Sequence, residues 1–336
     1  MTSDGPSYEP APDRYDRMVY RRSGASGLQL PAIALGAWET FGASHDEGVA
    51  EACFRAAFDM GINHFDFANN YGSPPGNAEL VCGRILRQLP RDEIVIATKA
   101  GFPMWPGPHG DRGSRKHLIA SCDQSLRRLE VDYVDIFYHH RPDPDTPIDE
   151  TMGALATLVA SGKALYAGVS SYTGAQFSEA VNAAAAVGLR LTIHQPYYNL
   201  LGRAIEDDLL PQTQAAGAGV IAFCPLASGL LTDRYLDGDI PAGARGLIWP
   251  GRWVRAHDTQ HRQRVLQGLH DIAAGRGQSL PQMAISWILR DDRVTAVVAG
   301  ATKVEQIHDN VGALAKLEFG ADELAAIDEL TLERAA

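Results

Sequence analysis

Between residues 30 and 314 the chain alternates short apolar runs with longer segments whose apolar residues recur every three to four positions. The short runs are Ala32–Leu35, Asn63–Phe67, Ile94–Lys99, Tyr133–His140, Ala164–Ser170, Leu191–Gln195, Val220–Pro225 and Val294–Gly300. Most lack clean in–out alternation, as expected of strands buried on both faces. The longer segments have amphipathic helix character: Asp46–Met60, Ala78–Leu86, Ser114–Leu129, Glu150–Ala160, Gly174–Ala186, Ile205–Ala215, Leu280–Leu289 and Val304–Leu314. A strand that returns through a helix must run parallel to its predecessor, so eight such pairs predict an α/β fold of the (β/α)8 TIM-barrel class. A doubly wound sheet is the rival, and it usually has fewer strands or a second domain.

Val19–Arg22, the turn Gly24–Gly27 and Leu28–Leu30 predict an N-terminal β-hairpin that plugs one end of the barrel, and Ala321–Leu332 predicts an extra C-terminal helix. Residues 1–17 are polar, contain prolines and read as a flexible arm, leaving 18–336 as a single barrel domain. Two insertions, Phe102–Gly113 and Leu230–His261, follow the third and seventh strands. Both emerge at strand C-termini, where such a barrel places its active site.

Composition narrows the function classes. Of the 336 residues, 45% are hydrophobic and 21% charged, the balance of a globular chain. The formal net charge of −11 argues against nucleic-acid or anionic-membrane partners, which call for a basic stripe. No apolar run reaches the roughly 18 residues of a membrane span, and the first residues lack the apolar stretch of a signal peptide. Cys53, Cys82, Cys122 and Cys224 are widely spaced, which argues against a zinc ribbon or a disulfide framework. The expectation is a cytoplasmic protein with reduced thiols.

Some motifs carry nothing. Gly217-Ala-Gly219-Val-Ile-Ala222 has dinucleotide-fingerprint spacing but precedes a strand, where a fingerprint follows one. Gly275-Arg-Gly277 reads as a turn between helices, and His139-His140, adjacent on a strand, point to opposite faces.

The second strand ends at Asp66 and runs into a loop bearing Tyr71; the third ends in Thr98-Lys99 and the fourth in His139-His140. Each residue alone has a bland explanation: a strand-end lysine is commonly a surface charge, and a loop tyrosine packing. Together, on neighbouring strands, they converge on one spot above the barrel. Here the sequence resembles the aldo-keto reductase superfamily over nearly its whole length, with likeness to the branch of bacterial L-glyceraldehyde 3-phosphate reductases and potassium-channel β-subunits. The resemblance rests on Asp66 followed by Tyr71-Gly72, on Thr98-Lys99, on His140-Arg141-Pro142, on Gly168-Val169-Ser170-Ser171 and on Gln195-Pro196.

The resemblance implies an oxidoreductase that reduces small aldehydes or ketones with NADP(H), glyceraldehyde 3-phosphate or methylglyoxal among them, and no metal. Catalysis would fall to Tyr71 as acid, with Lys99 lowering its pKa, Asp66 holding Lys99, and His140 orienting the carbonyl. Trp38, Tyr71, Trp105, His140 and Arg141 would line the substrate pocket, with Trp253 a further lid candidate. The nicotinamide end would meet Gly36, Ala37, Trp38, Asp66, Ser170, Ser171, Gln195 and Phe223. The loop Cys224, Pro225, Leu226, Ala227 and Gly229, with Arg234, would run along the cofactor; Cys224 stands where the family more often has serine. Gly300, Thr302, Lys303, Gln306, Asp309 and Asn310 would receive the adenosine end at a helix N-terminus, a natural phosphate site. Gln306 replaces a frequent arginine, and a plain helix cap explains Lys303 equally well from pattern alone. Arg112, Arg115 and Lys116 either greet a phosphorylated aldehyde or form a solvated helix start. The branch implies a homo-oligomer, tetramer or octamer.

Two rival functions stay open. His64, Asp66, His140 and His194 suggest a mononuclear metal hydrolase, although alternation turns His194 away if Gln195 points inward. The channel-subunit likeness suggests an NADP(H)-binding regulatory or redox-sensing subunit with little turnover.

Overall fold

The computed structural model describes residues 8–42, 46–236 and 260–332. The chain opens with an antiparallel hairpin, β1 (Tyr20–Arg22) and β2 (Gln29–Pro31), with Tyr20 opposite Pro31. Then come β3 (Ile33–Gly36), α1 (Glu47–Asp59), β4 (His64–Asp66), α2 (Asn77–Leu86), β5 (Val95–Ala100), α3 (Arg115–Leu129), β6 (Val134–His139) and α4 (Ile148–Ala160). The second half holds β7 (Ala164–Ser170), α5 (Gly174–Ala186), β8 (Leu191–Gln195), α6 (Leu209–Ala216), β9 (Gly219–Phe223), α7 (Gln260–Gly275), α8 (Leu280–Leu289), β10 (Ala296–Ala299), α9 (Val304–Gly312) and α10 (Ala321–Thr331). Strands β3 to β10 form a closed parallel barrel, β10 pairing back onto β3 with Val297 opposite Ile33. This is the predicted (β/α)8 barrel.

Strand alternation divides the core in two. Ala34, Ala97, Ile136, Tyr138, Ile193, Ile221 and Val298 pack together along the axis. Their neighbours face the helices, as where Phe65 stacks on Phe54 of α1 with ring centroids 5.0 Å apart. The helices start where the sequence supplies acceptors for free amide groups: Asp46 caps α1, Ser114 caps α3, and Thr173/Gln176 and Ser279/Gln282 form capping boxes on α5 and α8.

The hairpin closes the N-terminal end of the strands. Leu28 and Leu30 join the axial core, Ser23 Oγ donates to the Thr192 carbonyl at 3.1 Å, and Ala25 N donates to the Gly217 carbonyl at 2.9 Å. Gly24 has φ +54°, and a Cβ there would lie 2.2 Å from the Gly217 oxygen, so only glycine lets the hairpin sit this close. Gly217, the apparent fingerprint residue, is the left-handed C-cap of α6. From Tyr8 onward the arm, expected to stand clear, is tied down: the Tyr8 hydroxyl and Ala11 N both donate to Asp59, and Arg14 pairs with Glu93 at 2.6 Å. Its polarity serves these bonds.

Several boundaries differ from the reading of the sequence. Tyr133–His140 shortens to Val134–His139, Val294–Gly300 to Ala296–Ala299 and Asn63–Phe67 to His64–Asp66. The residues shed at the C-terminal ends become the start of the active-site loops. Helix α6 begins at Leu209 because the preceding turn is held by Arg203, which pairs with Glu206 and with Asp328 of α10. Helix α7 is a new element that packs on α8 and α10. Arg276, just beyond it, binds Glu323 and the carbonyls of Lys316 and Glu318 while lying over the Phe319 ring. Most of the second insertion, residues 237–259 with Trp253, lies outside the described residues.

His64, His139 and His194 are fully buried, one on the axis and two in the outer shell. Burial pushes them down to about 4, about 4 and about 3 from an ordinary 6.5. Their folded values lie below those of the unfolded chain, so unfolding takes up protons. This contribution to stability is fully present above pH 6.5 and is lost as the pH falls toward 4. Each histidine adds a slope of up to about 1.4 kcal/mol per pH unit in that window. Urea unfolding measured from pH 7.5 to 4.5 should show stability falling on acidification, and a flat profile would contradict the buried neutral state.

Candidate active site

At the C-terminal end of the strands the apolar axis gives way to a polar layer. Alternation along β4, β5 and β8 turns Asp66, Lys99 and Gln195 inward. Lys99 Nζ donates to Asp66 Oδ2 at 2.5 Å and to the Phe67 carbonyl at 2.7 Å, and Gln195 Nε2 donates to Asp66 Oδ1 at 3.0 Å. Lys99 is completely buried. Burial draws its pKa below the usual lysine value, against which the Asp66 charge pulls it back up. Its neighbour Thr98 points outward and donates to the buried carboxylate of Glu79 at 2.6 Å, which also binds Arg128. The strand that presents Lys99 is thus anchored from its other face.

The loop after β4 is shaped by backbone bonds. Asn69 N donates to the Lys99 carbonyl at 2.9 Å, and the Tyr71 carbonyl accepts from Gly76 N and Ala78 N at the entry to α2. This half-buries the Tyr71 ring with the Lys99 ammonium 5.2 Å from its centroid. His140 leaves β6 with its N–H on the Ala100 carbonyl at 2.9 Å, its ring 5.9 Å from Tyr71 at an interplanar angle of 70°. Phe102 meets the same imidazole edge-on at 4.6 Å. The four residues read from the sequence therefore converge. His139 turns the other way, onto the Tyr172 hydroxyl at 2.6 Å.

Charge states differ in one respect from expectation. Tyr71 is held well above the ordinary 10, by burial first and then by the Asp66 charge, rather than lowered by Lys99. The reason is geometric: Lys99 spends its charge on Asp66 at 2.5 Å while standing 5.2 Å from the phenol ring. Tyr71 thus stays protonated, the form a proton donor needs. His140 is held well below 6.5 by burial, with Lys99, His139 and Arg141 adding to the effect, so its imidazole is neutral. Its Nδ1 is buried and without a partner among the described residues, leaving Nε2 to meet a carbonyl oxygen.

The remaining candidates ring this centre unevenly. Gly36 ends β3 opposite Asp66, Ala37 N donates to the Asp66 carbonyl at 3.0 Å, and half-buried Trp38 follows. Ser170 is buried at the end of β7, and Ser171, φ +62°, is exposed beside it. Phe223 is half-buried and packs on Tyr197. Beyond it the chain turns through left-handed Cys224, Ala227, Ser228 and Gly229, with Pro225 and Leu226 between. Asn199 Nδ2 steadies that turn on the Cys224 carbonyl at 3.0 Å. Arg234 is exposed nearby in chain.

After β10 come exposed Gly300, Thr302 and Lys303. Lys303 is the N-cap of α9 and makes no side-chain cap bond; Thr302 binds Gln306 Oε1 through its N–H at 2.7 Å, and Asn310 is buried further on. An uncapped helix start beside an exposed ammonium fits a phosphate.

Three of the expected residues have partners within the fold. Gln195 spends its amide on Asp66 and so supports the ion pair. Asp309 accepts from Ser279 and Gln282, locking the start of α8. Trp105 packs on His117 at 4.9 Å, and among the described residues no ring contact joins it to Tyr71 or His140. Glu79 and Phe102 escaped the sequence reading, which offers no local signal for them, whereas parity along β6 pointed inward for Tyr138. For the metal alternative, His64 faces the axis while His194 packs edge-on against Phe177 of α5. Among the described residues no group of three or more His, Cys, Asp or Glu side chains is placed to hold a metal ion. Also among them, no helix is long and apolar enough to cross a membrane.

Comparison with known proteins matches residues 32–332 to the family described as aldo/keto reductase. The chain belongs to the aldo/keto reductase family. It is 51% identical to the L-glyceraldehyde 3-phosphate reductase of Escherichia coli K12 over 326 residues, 95% of this chain and 94% of that protein. It is also 38% identical over 302 residues, 88% of this chain and 91% of that protein, to a probable voltage-gated potassium channel subunit beta of Oryza sativa. A putative subunit of the same kind from Schizosaccharomyces pombe is 37% identical over 324 residues, 94% of this chain and 90% of the relative. This aldo/keto reductase is therefore an oxidoreductase.

If Tyr71 is the proton donor, its protonated state and the neutral His140 set a pH dependence. Carbonyl reduction should hold a flat kcat from pH 6.5, the ordinary histidine value, up to 10, the ordinary tyrosine value. Alcohol oxidation, which needs the phenolate, should rise throughout that range. A descending limb for reduction centred near neutrality would contradict these charge states.

Proposed function

We propose that this reductase converts small aldehydes to alcohols with NADPH as hydride donor, glyceraldehyde 3-phosphate and methylglyoxal being the substrate class. What supports this most is the convergence of a protonated Tyr71, a neutral His140 and the buried Lys99–Asp66 pair at one mouth of the barrel. NADPH supplies the hydride when bound. The Tyr71 hydroxyl gives its proton to the carbonyl oxygen as negative charge gathers there, leaving a phenolate whose ring has the Lys99 ammonium 5.2 Å from its centroid. His140 Nε2–H holds the same oxygen, fixing which face of the carbonyl is presented. Phe102 and the half-buried Tyr71 ring keep water from competing for that site.

The uncapped start of α9, with Lys303 and Thr302, fits the adenosine 2′-phosphate; Ser170, Ser171 and Phe223 fit the nicotinamide end. The names of the potassium-channel relatives support a regulatory reading, in which NADPH binds but aldehydes turn over little. An aldehyde panel assayed with NADPH separates the two, because a scaffold for binding has no use for a protonated acid beside a neutral imidazole.

Tyr71→Phe should lower kcat for aldehyde reduction by about 10²–10⁴-fold, the usual worth of a general acid, while NADPH affinity stays within about twofold on the same grounds. Retained turnover removes Tyr71 as the donor. Lys303→Ala should weaken NADPH by tenfold or more, taking a charge-assisted bond as worth roughly 1.5–3 kcal/mol, and leave NADH nearly unchanged. Equal losses for both cofactors would refute the 2′-phosphate contact.

A further inference from the structure

An aldehyde phosphate needs a cation near the reacting carbonyl, and the sequence offers four around the third and fourth loops: Arg112, Arg115, Lys116 and Arg141. The structure spends two of them elsewhere. Arg112 pairs with Asp143 and Asp145. Arg115 reaches across to α4, onto the Gly153 carbonyl and the Thr157 hydroxyl. Lys116 is exposed one position further along α3, with the free rotation of a solvated lysine.

Arg141 differs. It directly follows His140, and its guanidinium lies 4.3 Å from the centroid of Phe102, the ring that packs on His140. Nε donates to the Gly101 carbonyl at 2.8 Å, and one terminal nitrogen meets both Asp111 oxygens at 3.0 and 3.1 Å. The other terminal nitrogen has no acceptor among the described residues, and the side chain is 36% exposed. Arg141 is therefore a fixed fork with one prong unused, packed on the same Phe102 ring as the imidazole. Holding it in place beforehand spares the ordering entropy that a flexible lysine loses on binding.

We propose that Arg141 receives the phosphate of an aldehyde phosphate whose carbonyl is held by Tyr71 and His140. Arg141 is thus a specificity-determining residue. Asp111 balances its charge at rest, so an uncharged aldehyde meets no net attraction there, whereas a phosphate gains the unused terminal nitrogen as a charge-assisted donor. This inference rests on the reductase reading.

The test compares glyceraldehyde 3-phosphate with glyceraldehyde as substrates of the NADPH-loaded enzyme, in wild type, Arg141→Gln and Arg141→Lys. Whatever the substitutions do to turnover at large, the ratio of kcat/KM for the phosphorylated over the plain aldehyde should fall at least tenfold in Arg141→Gln. Arg141→Lys should recover part of it. Calorimetry of glycerol 3-phosphate and glycerol on the same proteins reads binding without chemistry, and only the phosphate ester should lose affinity in Arg141→Gln. An unchanged ratio and unchanged glycerol 3-phosphate affinity in Arg141→Gln overturn the assignment. Absent turnover of every aldehyde by wild type overturns the reductase reading instead, and the calorimetric comparison then decides on Arg141 by itself.

Discussion

A lysine and an aspartate, taken wholly out of water at the mouth of the barrel, set the terms for everything around them. Such a pair is expensive to bury, and losing one partner strands the other at a cost of roughly 3–5 kcal/mol. It persists because each charge finds neutral company as well: Asp66 takes the Gln195 amide, and Lys99 takes the Phe67 carbonyl. Those bonds join the consecutive strands β4 and β5 to β8 across the barrel, so the geometry of the pair and the closure of the barrel are one requirement. The ammonium under Tyr71 then does two things. It faces the ring that would give up a proton, and it holds Asp66, whose charge adds to burial in keeping the resting phenol protonated.

The same economy recurs at the strand ends, where neighbouring residues divide the labour between faces. Lys99 acts inward while Thr98 ties β5 outward to Glu79 and Arg128. His140 faces Tyr71 and Phe102 while His139 grips Tyr172, two residues past Ser170. A reactive side chain held on a strand is only as well aimed as the strand, and here the outward neighbour does the aiming. Phe102 and Arg141 extend the arrangement into loops, where ring contacts replace ladder bonds.

Much of this was legible in the sequence. The apolar runs found all eight barrel strands, because parallel strands buried on both faces cannot hide their composition. Asp66, Lys99 and His140 stood at successive strand ends, and the structure brings them to Tyr71. What escaped was decided at long range. The bond from the Gln195 amide to Asp66 spans 129 residues. Asp309 sat on the expected helix, but the capping box of α8 had claimed its carboxylate. Helix α7, absent from the sequence reading, packs on α8 and α10. The upward shift of Tyr71 comes first from its burial in the folded chain and then from the Asp66 charge, which no spacing rule contains.

The hairpin at the foot of the barrel has its own bearing on traffic. With Gly24 pressed against Gly217 and Leu30 seated in the axial core, the vessel has a stopper at its base. Among the described residues this closes the foot of the barrel, so on the proposed reading substrate, cofactor and the proton that would restore Tyr71 share the opposite end. Whatever occupies that end, including the loops that carry Phe102 and Arg141, meters the arrival of molecules and also the recharging of the acid.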